Sequence, residues 1–225
     1  MLRRKIMVPV IALAVLALTT ACSSPTPSPT EQPTPASTPA PNPTPTPETP
    51  VAEGITITTE RIVVVDAAGD ELASFDYFQP TDTVVAGLSA YLGAPVDTPF
   101  EGRNDAPAAT YHDWGDLRLV DTVPDGEPPY TPEHWVRATG IDANGLAIRA
   151  VDGTLVGDPI DAISGEYSDF TNPSSGLTTR YIRMDLVDLP PMNGSDELNF
   201  ATAVYGSVDD NRVDAIIAPS ANFGA

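Results

Sequence analysis

Residues 62–92 read IVVVDAAGDELASFDYFQPTDTVVAGLSAYL, and two hydrophobic periods in this stretch decide the fold class. Ile62-Val63-Val64-Val65 is apolar at consecutive positions, so a strand here is buried on both faces and central in its sheet. Asp66-Ala67-Ala68-Gly69-Asp70 reads as a turn, and Leu72–Phe78 as the returning strand. From Pro80 the period becomes helical: Val84, Val85, Leu88, Tyr91 and Leu92 form one apolar stripe. Thr81 is placed to cap this helix, Asp82 favours its positive end, and Gly93 and Pro95 end it. The spacing predicts an amphipathic helix over 82–92 packed on one face of a sheet.

On either side of this stretch the signals are those of short strands. Ile55-Thr56-Ile57-Thr58 alternates, as do Ile182, Met184 and Leu186 with Arg183, Asp185 and Val187. Ile141–Leu146, with Asn144-Gly145 at its tip, and Val151–Leu155, around Asp152-Gly153, both read as hairpins. Phe200–Tyr205 and Val213–Ile217 flank Asp209-Asp210-Asn211 as another. Gly157-Asp158-Pro159 opens a short helix through Ile163, and Gly165–Gly176 reads as a loop tipped by Asn172–Gly176. With about eight to ten strands and one clear helix, the expected class is α+β, a mainly antiparallel sheet carrying the helix.

The chain has 225 residues and a formal net charge of −20. Residues 51–225 hold 29 of the acids, eight Arg and no Lys. Such a polyanion gains nothing from displacing counterions on a phosphate backbone, which argues against nucleic acid as a partner, and against docking on anionic lipid through this domain. The same charge favours solubility and a monomer.

Residues 1–21 look like an address. Arg3-Arg4-Lys5 precedes an apolar run from Ile6 to Leu18, whose 13 residues reach about 20 Å, short of a roughly 30 Å hydrocarbon core. Leu18-Thr19-Thr20-Ala21-Cys22 follows and resembles a bacterial lipobox. That resemblance implies cleavage before Cys22 and lipid on its thiol, with further acylation anchoring the chain stably. Cys22 is the only cysteine, so no intramolecular disulfide exists. In residues 23–50, 22 of 28 positions are Pro, Thr or Ser. Such a segment buries no core, and as polyproline II it spans up to about 90 Å. Signal, stalk and the acidic, Lys-free domain together resemble exported lipoproteins of high-GC Gram-positive bacteria. The resemblance implies residues 1–21 as signal peptide, 22–50 as lipidated stalk and 51–225 as one domain, held at the outer face of the cytoplasmic membrane.

Catalytic patterns are missing from the sequence. It has no H-E-x-x-H, phosphate loop or dinucleotide glycine pattern, and Ser89 lies inside the helix. No cofactor is expected, and the chain reads as non-enzymatic. The alternative is a carboxylate-dependent hydrolase of the envelope. Three groups are candidates for ligand contact. His112, His134, Asp113 and Glu133 would hold a transition metal if they converge. The acidic turns Asp66/Asp70, Asp121/Asp125/Glu127 and Asp209/Asp210/Asn211 offer oxygens for calcium, but without the alternating spacing of a calcium loop. Tyr111, Trp114, Tyr130 and Trp135 would recognise a glycan or protein partner if exposed; otherwise Trp114 and Trp135 fill the core, with the histidines hydrogen-bonded at its edge. The function expected is therefore a membrane-anchored binding or interaction module.

Overall fold

A computed structural model describes residues 50–103, 107–123, 126, 128–192 and 198–222, all within a unit running from Pro47 to Ala225. Cys22 and the rest of residues 1–49 lie outside the described residues, as do Asp125 and Glu127. Among the described residues the class is as expected, mostly antiparallel β with one α-helix, but there are two sheets and more strands.

The elements in chain order are β1 (Ala52–Ile57), β2 (Arg61–Asp66), β3 (Glu71–Asp76), α1 (Thr81–Leu92), β4 (Val96–Phe100), β5 (Ala109–Trp114), β6 (Leu117–Thr122) and β7 (His134–Ala138). They continue with β8 (Asp142–Ala143), β9 (Leu146–Ala150), a 3-10 turn (Ile160–Ala162), β10 (Glu166–Thr171), β11 (Thr178–Asp188), β12 (Asn199–Ser207) and β13 (Arg212–Asn222). The smaller sheet has the order β3-β2-β1-β9-β8, and the larger β10-β11-β12-β13-β7-β6-β5-β4. Among the described residues every strand pairing is antiparallel except β1 with β9, a parallel pair that ties the N-terminal meander to the middle of the chain.

One apolar core joins the sheets and the helix. Ile55, Ile57, Ile62, Val64 and Ile148 come from the smaller sheet; Trp114, Leu117, Leu119, Val136, Val204 and Ile216 come from the larger. β2 is buried along Ile62–Val65, as its apolar run requires for a central strand. Helix α1 adds Val84, Leu88 and Leu92, spaced four residues apart on one stripe, while Tyr91 stays more than a third exposed. Gly87 allows the close approach of helix and sheet, because a Cβ there would lie 2.2 Å from the Phe75 ring on β3.

The helix ends correct one expectation. Thr81 is not the cap but the first helical residue; Pro80 occupies the cap position with no side-chain bond, and the Thr81 hydroxyl turns to the Glu133 carbonyl at 3.4 Å. The C-terminal end does stop at Gly93, with φ of 77°. Helix-end carbonyls need donors from outside the helix. The Trp114 indole N–H bonds to the Gly93 carbonyl at 2.8 Å, and the Asn144 amide bonds to the Leu92 carbonyl at 3.0 Å. Asn144 and Gly145 both have positive φ, and the two-residue β8–β9 hairpin closes around them.

Two other local readings change. Gly165–Gly176 is not all loop, since Glu166–Thr171 forms edge strand β10 on β11. All six residues of β10 are exposed, so they carry no hydrophobic alternation to read. Val151–Leu155 makes its turn, with the Gly153 N–H donating to the Ala150 carbonyl, but no strand returns; the chain runs on to the 3-10 turn.

Candidate functional site

Residues paired across neighbouring strands point to the same side of a sheet. On the larger sheet, Leu117, Leu119, Val136 and Ala138 point into the core, so their sequence neighbours point to the opposite, outer face. The register places a row of residues on that face, from Asp113 through Arg118, Arg137, Ile217, Ala203 and Arg183 to Glu166. A neighbouring row holds Tyr111, Val120 and Trp135, and Tyr205 lies opposite Tyr181 further along. Val120 and Ala203 are buried beneath the larger side chains. Three guanidiniums and four aromatic rings thus share one face of a domain that is otherwise strongly acidic.

The β5–β7 end is well organised. Tyr111 stacks on Phe100 with centroids 5.5 Å apart and planes 17° apart, and the Arg118 guanidinium lies 4.4 Å over the Tyr111 ring. Asp113 takes Arg118 in a two-pronged bond of 2.7 and 2.9 Å, which raises the guanidinium's pKa further. Arg137 lies directly opposite Arg118, a like-charge pairing that costs stability in a sheet. It is exposed and makes no hydrogen bond or ion pair among the described residues. A cleft of about 330 Å³ opens here between Asp113, Gly115, Asp116, Arg118, Arg137 and Thr139. Its two carboxylates are already engaged, Asp113 by Arg118 and Asp116 by the Asp142 N–H at 3.2 Å.

The opposite end is built around Arg183, which is 8% exposed. One Nη donates to Asn199 Oδ1 at 2.5 Å and more weakly to the Asn199 and Ser220 carbonyls at 3.4 Å, while Nε has no partner among the described residues. Tyr181 and Tyr205 lie 4.8 Å apart, and the Tyr181 hydroxyl shares a 2.7 Å bond with Ser220. Burial, then the neighbouring Tyr181, raise the Tyr205 pKa.

Of the four aromatic candidates, Tyr111 and Trp135 come together on this face, the second half-buried. Trp114 is fully buried in the core, and Tyr130 lies in the segment before β7, its hydroxyl 3.3 Å from the Pro190 carbonyl. The core reading of both tryptophans is therefore right for Trp114 and wrong for Trp135. Strand alternation puts His134 inside instead. His134 is fully buried, edge-on to Tyr77 at 5.7 Å, and neither ring nitrogen has a partner among the described residues. Burial lowers its pKa to about 4, against a smaller opposing pull from Asp76.

The structure does not gather the proposed metal ligands. His112 bonds Asp97 at 2.8 Å and Asp113 faces the other side with Arg118, while His134 sits two strands away from His112. The Glu133 N–H donates to the Tyr77 carbonyl. Among the described residues no three His, Cys, Asp or Glu side chains are placed to hold a metal. The acidic turns spend oxygens on their own backbone and neighbours. Asp66 Oδ1 accepts from the Ala68 and Asp70 N–H groups, Asp209 accepts from Thr178 N–H, Asp210 from the Ser207 hydroxyl, and Asn211 from Asp161 N–H. Asp121 lines a separate edge cleft of about 320 Å³ with Phe100 and Glu101.

The sequence reading missed the three arginines as a group. Each sits between inward-pointing apolar residues, in Leu117-Arg118-Leu119, Val136-Arg137-Ala138 and Ile182-Arg183-Met184, so outward orientation was available from the pattern. Their shared row depends on the register of five strands, which the pattern does not contain. Compared with known protein families, curated proteins and solved structures, the chain has no match.

Proposed function

We propose that this chain is an exported lipoprotein, held by acyl chains on Cys22 at the outer face of the cytoplasmic membrane, and that residues 51–225 form a binding module for a saccharide of the cell envelope. The lipobox-like segment and the Pro/Thr/Ser stalk support the anchoring half of this reading. The arginine–aromatic row on the outer face of the larger sheet carries the binding half.

The chemistry of that row suits a sugar chain. Flat rings such as Tyr111 and Trp135 offer apolar faces to the C–H faces of a pyranose, while guanidiniums donate in a plane to hydroxyl and acid oxygens. Across β5 to β11 the row crosses six strands, roughly 24 Å at about 4.8 Å per strand, long enough for several sugar units. Aromatic and Arg side chains are also the residues that anchor binding most often.

Thermal unfolding of the full chain with a panel of wall saccharides tests the binding half. A bound ligand at about 100 times its Kd adds roughly 2.7 kcal/mol, a shift of a few degrees for a domain of this size. The shift is expected to vanish in Trp135→Ala and Arg137→Ala. A shift that persists in both places the ligand elsewhere. Labelling with a fatty acid, expected in the native chain and lost in Cys22→Ala, tests the anchor.

A further inference from the structure

We infer that the cleft at the β10 end of the outer face binds a single carboxylate carried on a sugar, with Arg183 as its counter-charge. This rests on the binding reading above and names the ligand chemistry at one end of the same face. The cleft measures about 200 Å³ and is lined by Glu166, Tyr167, Ser168, Tyr181, Arg183 and Asn222.

Arg183 carries a charge that it cannot shed. A guanidinium stays protonated in a protein, so an Arg that is more than nine-tenths buried needs an anion nearby. Among the described residues Arg183 meets only neutral oxygens, the Asn199 amide and two backbone carbonyls, and its Nε is unpartnered. Counter-charges are not scarce in this chain. Three residues earlier on the same strand, Arg180 forks onto Asp169 at 2.8 and 2.9 Å and reaches Asp161 at 2.7 Å. Glu166 lies opposite Arg183 in the register but is exposed and makes no ion pair with it within 4.0 Å. The residue matched with two carboxylates is on one side of β11, and the unmatched one faces the cleft.

The remaining lining selects among anions. A planar guanidinium takes a planar carboxylate edge-on through two N–H groups. One positive charge balances one negative charge, and the Glu166 carboxylate at the rim disfavours a dianion such as phosphate. Ser168 and Tyr181, which share the face of Arg183, supply hydroxyls for the sugar body.

The test uses the full chain with nitrogen-labelled arginine, following side-chain Nε–H resonances by NMR. The probes are sodium glucuronate, glucose and inorganic phosphate at matched ionic strength. Glucuronate is expected to shift the Arg183 resonance saturably, with glucose and phosphate at least tenfold weaker. Arg183→Gln is expected to abolish glucuronate binding, and Arg183→Lys, which keeps the charge but not the fork, to weaken it about tenfold; the second variant stands in if the first fails to fold. Equal binding of glucose, equal binding of phosphate, an unmoved Arg183 resonance, or unchanged affinity in Arg183→Lys overturns the inference. A neutral wall saccharide that still perturbs Trp135 in that event leaves the binding face standing without the carboxylate site.

Discussion

His134 and Arg183 are both polar, both buried and both on strands of the larger sheet, one on each face. Each has side-chain nitrogen without a hydrogen-bond partner among the described residues. The imidazole resolves its burial by staying neutral, with its pKa lowered to about 4. The guanidinium has no neutral form to adopt at any ordinary pH. An inner face packed against a second sheet tolerates the first solution. Among the described residues no carboxylate offsets the second charge, and this difference is what supports the proposal that the outer face meets a ligand.

The strongest contrast between the faces is in packing. Trp114→Ala removes a fully buried indole and its bond to the helix end, and is expected to cost about 3–5 kcal/mol in denaturant unfolding. Trp135→Ala, half-buried on the outer face, is expected to cost well under half of that. Equal losses would erase the distinction.

Next is acid sensitivity. A histidine whose folded pKa lies below its unfolded value of about 6.5 contributes nothing adverse above pH 6.5. As pH falls from there toward the folded pKa of about 4, the unfolded state takes up the proton first, and stability is lost, by roughly 3 kcal/mol once pH is below both values. His134→Phe is expected to remove this part of the acid slope. An identical slope in the variant would mean that other groups produce it.

Arg183→Met tests the other side of the comparison. Replacing a buried charge that has no carboxylate partner among the described residues is expected to leave unliganded stability unchanged or raise it by up to about 2 kcal/mol. A clear loss would mean that its bonds to Asn199 and Ser220 outweigh its desolvation. The smallest expected effect is at the rim. Asp113→Asn breaks an Arg118 pair whose members are 43% and 25% exposed in their side chains, and is expected to cost less than about 1 kcal/mol. The same change frees Arg118, so affinity for an acidic saccharide is expected to rise.

Much of the local structure was legible because it rests on local chemistry. The β-run Ile62–Val65, the helix with its Gly93 stop and the Asn144-Gly145 hairpin each carry their cause within a few residues. Edge strands β4 and β10 were not legible, because a strand exposed on both faces has no hydrophobic period and β4 contains Pro99. Division into two sheets was hidden too, since it turns on the parallel β1–β9 pairing of segments far apart in the chain. At the site, Tyr111 and Trp135 were visible as residue types, but their separation from Trp114 and Tyr130 followed from strand parity and from position outside the sheet. His134 and Trp135, adjacent in sequence, exchanged the places that hydrophobicity alone would give them.

The most direct measurement follows Trp135 itself. Of the chain's two tryptophans, Trp114 is enclosed and Trp135 is not, so ligand-induced fluorescence changes report chiefly on the outer face. Titration of the full chain with an acidic wall saccharide is expected to change the emission saturably, to protect it from acrylamide, and to lose both effects in Trp135→Phe. Thermal stabilisation by the same saccharide with no change in Trp135 emission would contradict the assignment of the outer face as the binding face.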